Sequence, residues 1–289
     1  MKNIPEISFW TDRVLQIKGF QFFILEEFIT DDLNPTDHSP YQPHRLNFYA
    51  ILIITDGEVN HIVDFKVHTL RKHDVMVISK GQTHAFDESS AYIGYLAVFT
   101  EAFMQKYMAQ STIAQINHLY NYFLNQEKIN NPDRNQTLIP ILKNELKNNL
   151  SSLPNIIGSL LSIYLLKLNE EHIRLSHVSV DNKHLDHFNH FRLALEQNFS
   201  KTRDAKVYAS NLSISYKHLN EVCKHVVNVT AKSFIDNYIV LESKRMLVST
   251  SLSVKEIAFE VGFDEPTNFL KYFKKHTSLT PVEFRKTLA

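Results

Sequence analysis

The chain has 289 residues, with 31 basic and 31 acidic side chains, 44% apolar residues and one Cys. That length fits one large or two modest domains, and the composition excludes a disordered, collagenous or low-complexity chain. A single Cys excludes an intramolecular disulfide framework and any multi-Cys zinc or iron–sulfur site made by one chain.

Met1–Arg13 mixes Lys, Glu, Trp and Asp and is no basic-then-apolar signal segment. The longest apolar-rich stretch, Ile156–Leu168, carries Gly158, two Ser and Lys167 and is too short to span a bilayer. A soluble, cytoplasmic protein with no membrane partner is therefore expected. All six glycines are isolated, so neither a Walker loop nor a dinucleotide fingerprint forms. G-x-S-x-G and H-E-x-x-H are absent as well. Any enzyme reading must rest on His and carboxylates scattered through the N-terminal half.

Residues 14–100 read mainly as strands. Phe20–Phe28, Phe48–Ile54, Val75–Ile78 and Tyr92–Phe99 are short β-branched and aromatic runs. Turn-formers separate them at Asp31-Asp32-Leu33-Asn34-Pro35, Asp56-Gly57 and Lys80-Gly81. Several short strands without long helices between them predict a sandwich or barrel. From Glu101 the period changes. Leu138, Ile141, Leu142 and Leu146, then Ile156, Leu160, Ile163, Tyr164 and Leu168, recur every three or four residues, which predicts amphipathic helices over about 101–170. Glu170–Asn182 is polar and His-rich and is the expected boundary between domains at 1–178 and 179–289. From Lys183 onwards the chain has 16 Lys/Arg against 11 Asp/Glu, while the remainder has 15 against 20. A basic C-terminal module thus follows an acidic N-terminal one.

The last eighty residues repeat. Ala209 and Leu212 correspond to Ala258 and Val261 at a shift of 49, and Cys223-Lys224, Thr230 and Phe234 correspond to Phe273-Lys274, Thr280 and Phe284 at a shift of 50. Each copy reads as a short helix, a tight turn and a longer helix with a basic end, the helix-turn-helix plan. Ser253-x-x-Glu256 and Thr280-Pro281-x-Glu283 are capping boxes. Gly262 falls where a left-handed residue ends a helix, and Glu265-Pro266 places Pro in a first turn. Between the copies, Phe234, Ile235, Tyr238, Ile239, Leu241 and Met246 form an apolar stripe on one connecting helix.

The run Ile257-Ala258-Phe259-Glu260-Val261-Gly262-Phe263, with Asn268-Phe269, Tyr272-Phe273-Lys274-Lys275 and Thr280-Pro281-x-Glu283-Phe284-Arg285, closely resembles the signature of the AraC/XylS family. Ile214-Ser215, His218-Leu219-Asn220, Thr230 and Leu241-Glu242-x-Lys244-Arg245 fit it in the first copy. The resemblance covers about Asp186–Thr287. It implies a bacterial transcription regulator that docks two recognition helices in successive major grooves of double-stranded DNA and recruits RNA polymerase, with repression by occlusion as the other outcome. Asn228 and Ser278 stand where the family usually has Gly, so the second turn is expected to be reshaped. Glu221 stands where many members carry Arg.

On the first recognition helix Leu219, Val222 and Cys223 are expected in the core, which leaves Lys217, Asn220 and Glu221 for base edges. On the second, Phe269, Leu270 and Phe273 form the apolar set, and Thr267, Asn268 and Lys271 face bases. Asn suits adenine, Glu cytosine and Lys guanine. Lys224, Lys274 and Lys275 are expected on phosphates, which orient without reading sequence.

The N-terminal half resembles a cupin, the small β-barrel that commonly forms the sensor of this family. The match is His73-Asp74-Val75-Met76-Val77-Ile78-Ser79-x-Gly81-x-x-His84, with Asp56-Gly57 before it. The fold class expected is α+β: an N-terminal cupin-like β-barrel with flanking helices, then an all-α domain of two helix-turn-helix modules joined by a linker helix. At the spacing of a cupin metal site stand His44, Leu46, Ala50 and His84, so two ligands are missing and no metal, cofactor or catalysis is expected. The rival readings are a cupin enzyme whose helical half is only a scaffold, and a ligand-independent DNA-binding dimer. His44 and His84 are either hydrogen-bonded residues at the barrel mouth or part of a small-molecule effector site with Arg45, Tyr49 and Phe86. Helices in Thr137–Leu168 would serve this family as a homodimer interface, with Leu138, Ile141, Leu142, Leu160, Ile163 and Tyr164 as its edge, or else merely cover the barrel.

Overall fold

The computed structural model describes residues 6–7, 17–30, 39–120, 128–130, 132–148, 150–176 and 182–287. Met1–Ile4, the turn expected at Asp31–Pro35 and residues 177–181 of the expected boundary lie outside them. The chain forms two compact units, one of Pro5–Val178 and one containing Ser179–Ala289.

The first unit contains β1 (Glu6–Ile7), β2 (Phe20–Ile24), α1 (Leu25–Thr30), β3 (His44–Leu46), β4 (Tyr49–Asp56), β5 (Glu58–Val63), β6 (Lys66–Arg71), β7 (Asp74–Ile78), β8 (Thr83–Phe86) and β9 (Ile93–Phe99). Then come α2 (Glu101–Tyr107), α3 (Gln110–Ile116), a 3-10 turn at Asn117–Tyr120, β10 (Ile129–Asn130), α4 (Pro132–Glu145) and α5 (Leu153–Ser176). Among the described residues the strands make two five-stranded sheets, ordered β1-β3-β8-β5-β6 and β10-β7-β4-β9-β2.

Strand alternation divides the apolar residues between two cores. Ala50, Leu52 and Ile54 of β4 meet Val59, Leu70 and Phe86 inside the barrel. Ile51 and Ile53 face the other way, onto Ile157, Leu161 and Leu165 of α5. β4 is buried on both faces, which is why its sequence is an unbroken apolar run. Burying each such side chain stabilises by about 1.5–3 kcal/mol. At Gly94 of β9 a Cβ would stand 2.0 Å from the Ile53 carbonyl oxygen, so this crossing admits only glycine.

The run Phe20–Phe28 is not one strand. β2 pairs with β9 only as far as Ile24↔Tyr95. Leu25 and Phe28, three residues apart, are then buried on one side of α1, and Glu26 and Glu27 in its first turn favour the helix dipole. Likewise, the polar segment from Glu170 is helical through Ser176, because α5 continues past its apolar stretch.

The second unit is helical: α6 (Asn182–Asn198), α7 (Ala205–Asn211), α8 (Tyr216–Val227), α9 (Ala231–Ser249), α10 (Val254–Glu260), α11 (Pro266–Thr277) and α12 (Pro281–Lys286). α7–α8 and α10–α11 are the two helix-turn-helix copies. α9 is buried differently from the expected stripe: Leu241 and Met246 are only half-buried, whereas Val240, Glu242, Ser243, Arg245 and Leu247 are buried. Elements pack around most of its circumference. The Arg245 guanidinium and Glu242 carboxylate, 2.6 Å apart and almost fully buried, neutralise one another there.

Candidate functional site

Both longer helices of the repeats start at defined caps. Ser215 Oγ accepts from the His218 N–H at 3.0 Å and opens α8, and Pro266 occupies the first turn of α11. Leu219, Val222 and Cys223 are fully buried under α8, as are Phe269 and Phe273 under α11. Burial pushes the Cys223 thiol up to about 12, so it is a packing residue rather than a nucleophile. Facing solvent are Lys217, Glu221 and Lys224 on α8, and Thr267, Asn268, Lys271, Lys274 and Lys275 on α11.

Two residues depart from the sequence reading, at equivalent positions of the repeat. Asn220 is half-buried, and its Oδ1 accepts from the Ala231 N–H, the first of α9, at 3.0 Å. That oxygen is engaged in the fold. In the second copy the residue equivalent to Ala231 is Pro281, which has no N–H to satisfy. Leu270, equivalent to Asn220, is not in the core but 39% exposed. The Ala231 N–H needs an acceptor and the second copy has no such N–H, and the two side chains differ accordingly.

The second turn is not reshaped. Asn228 ends α8 at φ 55° and Ser278 ends α11 at φ 63°, both left-handed, and both N–H groups bond back, to the carbonyls of Lys224 and Lys274. Ties to neighbouring helices fix the exposed faces. His218 of α8 meets His187 of α6, ring nitrogen to ring nitrogen, at 3.1 Å. Tyr272 of α11 donates its hydroxyl hydrogen to Asp236 Oδ1 of α9 at 2.9 Å. Neither tie was read from the sequence, since each joins residues more than thirty positions apart.

In the barrel, His44 and His84 are opposite one another in the β3–β8 register, with ring centroids 4.2 Å apart. Phe86 packs beside His84. The sequence reading missed His61 of β5, fully buried, whose Nε2 is 3.2 Å from His84 Nδ1. Its Nδ1 points to the Tyr92 hydroxyl, which itself donates to the Asn60 carbonyl. Burial, with His44 beside it, pushes His61 down to about 3, and burial likewise holds His84 well below the usual histidine range. Both rings are neutral at pH 7. Among the described residues no group of three or more His, Cys, Asp or Glu is placed to hold a metal ion.

Arg45 and Tyr49 do not join this cluster. Arg45 lies between His44 and Leu46 on β3 and points to the opposite face, its guanidinium near Gly81. Tyr49 shares the outer face of β4 with Ile51, stacks on Phe99 and packs at a tilt against Tyr120 under the helices. The barrel interior is packed with apolar side chains such as Phe48, Leu52 and Leu96. One described cavity, of about 250 Å³, lies at the sheet edge between β2, α1 and the end of α4, lined by Phe22, Phe28, Lys143 and Leu146.

The helix-turn-helix domain model matches residues 208–287, and the AraC-like ligand-binding domain model matches residues 32–122. The chain is an AraC-type transcriptional regulator. It is similar along its length to the transcriptional activator RhaR of Mannheimia succiniciproducens, at 24% identity over 94% of this chain and 97% of that protein. The Msm operon regulatory protein of Streptococcus mutans is 25% identical over 41% of this chain and 43% of its own length. In fold, this regulator resembles ToxT of Vibrio cholerae, with a TM-score of 0.50 and 16% identity, covering 94% of this chain and all of that one. The regulator thus joins a cupin-like ligand-binding domain to a DNA-binding helix-turn-helix domain. Among the described residues no helix is long and apolar enough to cross a membrane.

Proposed function

We propose that residues 1–178 sense a small molecule and residues 179–289 read a promoter site, with α8 and α11 in successive major grooves. Lys217 and Glu221, and Thr267, Asn268 and Lys271, contact base edges, while Lys224, Lys274 and Lys275 hold phosphates. What carries the reading is that two copies of one helix-turn-helix present charged, exposed faces at matching positions. Asn220 belongs to the fold first and to DNA only through it. The protein acts in the cytoplasm as a homodimer, and it activates by recruiting RNA polymerase, as the activator name of its full-length relative suggests. It has no catalytic role, in keeping with relatives that are transcription regulators. The effector binds one domain arrangement better than the other and so biases how the DNA-binding half is presented. His44, His84 and Phe86, with His61, mark the polar end of the barrel where it would be recognised.

The test is selection of duplexes from a random pool, followed by anisotropy at several salt concentrations. One enriched bipartite sequence is expected. Lys271→Ala should relax preference at one base position, a change of about 1–3 kcal/mol there. Lys274→Ala should weaken all duplexes alike and flatten the salt slope by about one unit. Identical behaviour of the two variants would show the sorting into base and phosphate contacts to be wrong.

A further inference from the structure

Two recognition helices read one bipartite site only if the distance and angle between them are fixed. α9 joins the modules along the chain, and a second connection closes the arrangement. The residues leading into α7 lie against the turn between α10 and α11. Arg203 Nη2 donates to the Gly262 carbonyl at 3.0 Å, and its guanidinium lies over the Phe263 ring, 3.8 Å from the centroid. Gly262 has φ +82°, and a Cβ there would stand 2.1 Å from the Ser200 carbonyl oxygen. Glycine at this position therefore serves the close approach between modules as well as the turn.

The contact continues into the second recognition helix. Phe263 packs on Tyr272 with centroids 5.1 Å apart, and the Tyr272 hydroxyl holds Asp236 of α9 at 2.9 Å. Arg203, Phe263, Tyr272 and Asp236 thus link the entrance of the first module to α11 and back to the linker helix. A guanidinium suits this place because it offers a flat face to the ring and a directional N–H to the carbonyl together, which an ammonium does not.

We propose that Arg203 is a positioning residue that fixes α11 relative to α8, and thereby sets the half-site spacing the regulator accepts. This rests on the reading that both helices enter one duplex. One inserted base pair moves the second half-site by about 3.4 Å and about 34° around the duplex. A clamped pair resists that displacement, whereas a pair held only by its packing on α9 yields to it more readily.

The experiment uses the full chain and the duplex it enriches from a random pool, with the spacer between half-sites changed by one base pair in either direction. The wild type should lose at least about tenfold in affinity on either change. Arg203→Ala should bind the original duplex more weakly yet lose less than about threefold on changing the spacer, with α8-side base preferences intact. Arg203→Lys should behave as Arg203→Ala does, and it carries the same test should the alanine variant fail to fold. Retention of the wild-type ratio between spacers, or an equal weakening on all of them, would overturn the clamp alone. Failure of the wild type to enrich any bipartite sequence would overturn the two-helix reading and the clamp with it.

Discussion

Asn220 has the chemistry to pair with adenine and stands on the expected helix, yet its carbonyl oxygen is already committed to the Ala231 N–H. Replacing it by alanine leaves the Ala231 N–H without that acceptor while Thr230 still caps α9, at a cost of about 1 kcal/mol. The expected result is a melting temperature several degrees lower, with base preference unchanged in whatever binding remains. A stable Asn220→Ala protein with altered base preference would return the residue to the groove. The barrel histidines give a second prediction at this scale. His61 is held down to about 3 by burial, whereas an unfolded histidine titrates near 6.5. The unfolded chain therefore binds more protons between those values, and stability is lost as pH falls from about 6.5 towards about 3. The slope reaches about 1.4 kcal/mol per pH unit for each such group. Melting curves from pH 8 to pH 5 should show the fall, and His61→Gln should make it shallower. Equal slopes in the two proteins would refute this account.

Among the elements, the two recognition-helix ends separate what a residue type prefers from what packing imposes. Asn228 and Ser278 take the same left-handed backbone, although asparagine enters it readily and serine does not. Ser278→Gly should therefore stabilise by about 0.5–1 kcal/mol and Asn228→Gly by close to nothing. Denaturant melts of both variants check this, and an equal gain at the two sites would count against it. Elements with a local signature were legible: the capping boxes at Ser253 and Thr280, and the helix spacing of Leu219, Val222 and Cys223. The hairpin between β5 and β6 was not. It turns through Asp64 and Phe65, both at positive φ, without the Asn-Gly or Gly that usually announces such a turn. Tertiary bonds hold it instead, as Asp64 accepts from Gln82 Nε2, the Thr83 N–H and Thr83 Oγ1. The strand expected over Phe20–Phe28 shows the converse, since an apolar run has no period that says where a strand gives way to a helix.

At the scale of the whole molecule, the helices expected to form an interface do two things at once. Leu138, Leu142, Leu160 and Tyr164 pack onto the outer barrel sheet, while Ile141 and Ile163 stay exposed at 43% and 46%. Burial of the first four follows from β4 having an apolar outer face that needs cover. The exposed isoleucines are where the proposed homodimer would pair. Ile141→Glu with Ile163→Glu should turn a sedimenting dimer into a monomer and change the monomer's stability by no more than about 0.5 kcal/mol per site. A dimer that survives both changes would place the interface elsewhere.

The sequence by itself determined the architecture of this regulator: a strand-rich half, a helical half, and within the latter a duplicated module whose core positions repeat at a fixed shift. These are periodic and local properties, written in spacing and in caps. Only the tertiary structure decided which neighbours meet. It set Tyr49 and Arg45 apart from His44, brought His61 to His84, bound Asn220 to α9, and laid Arg203 across Phe263. Each of those outcomes depends on which face of a strand or helix another element covers, and that is fixed by packing between segments far apart in the chain.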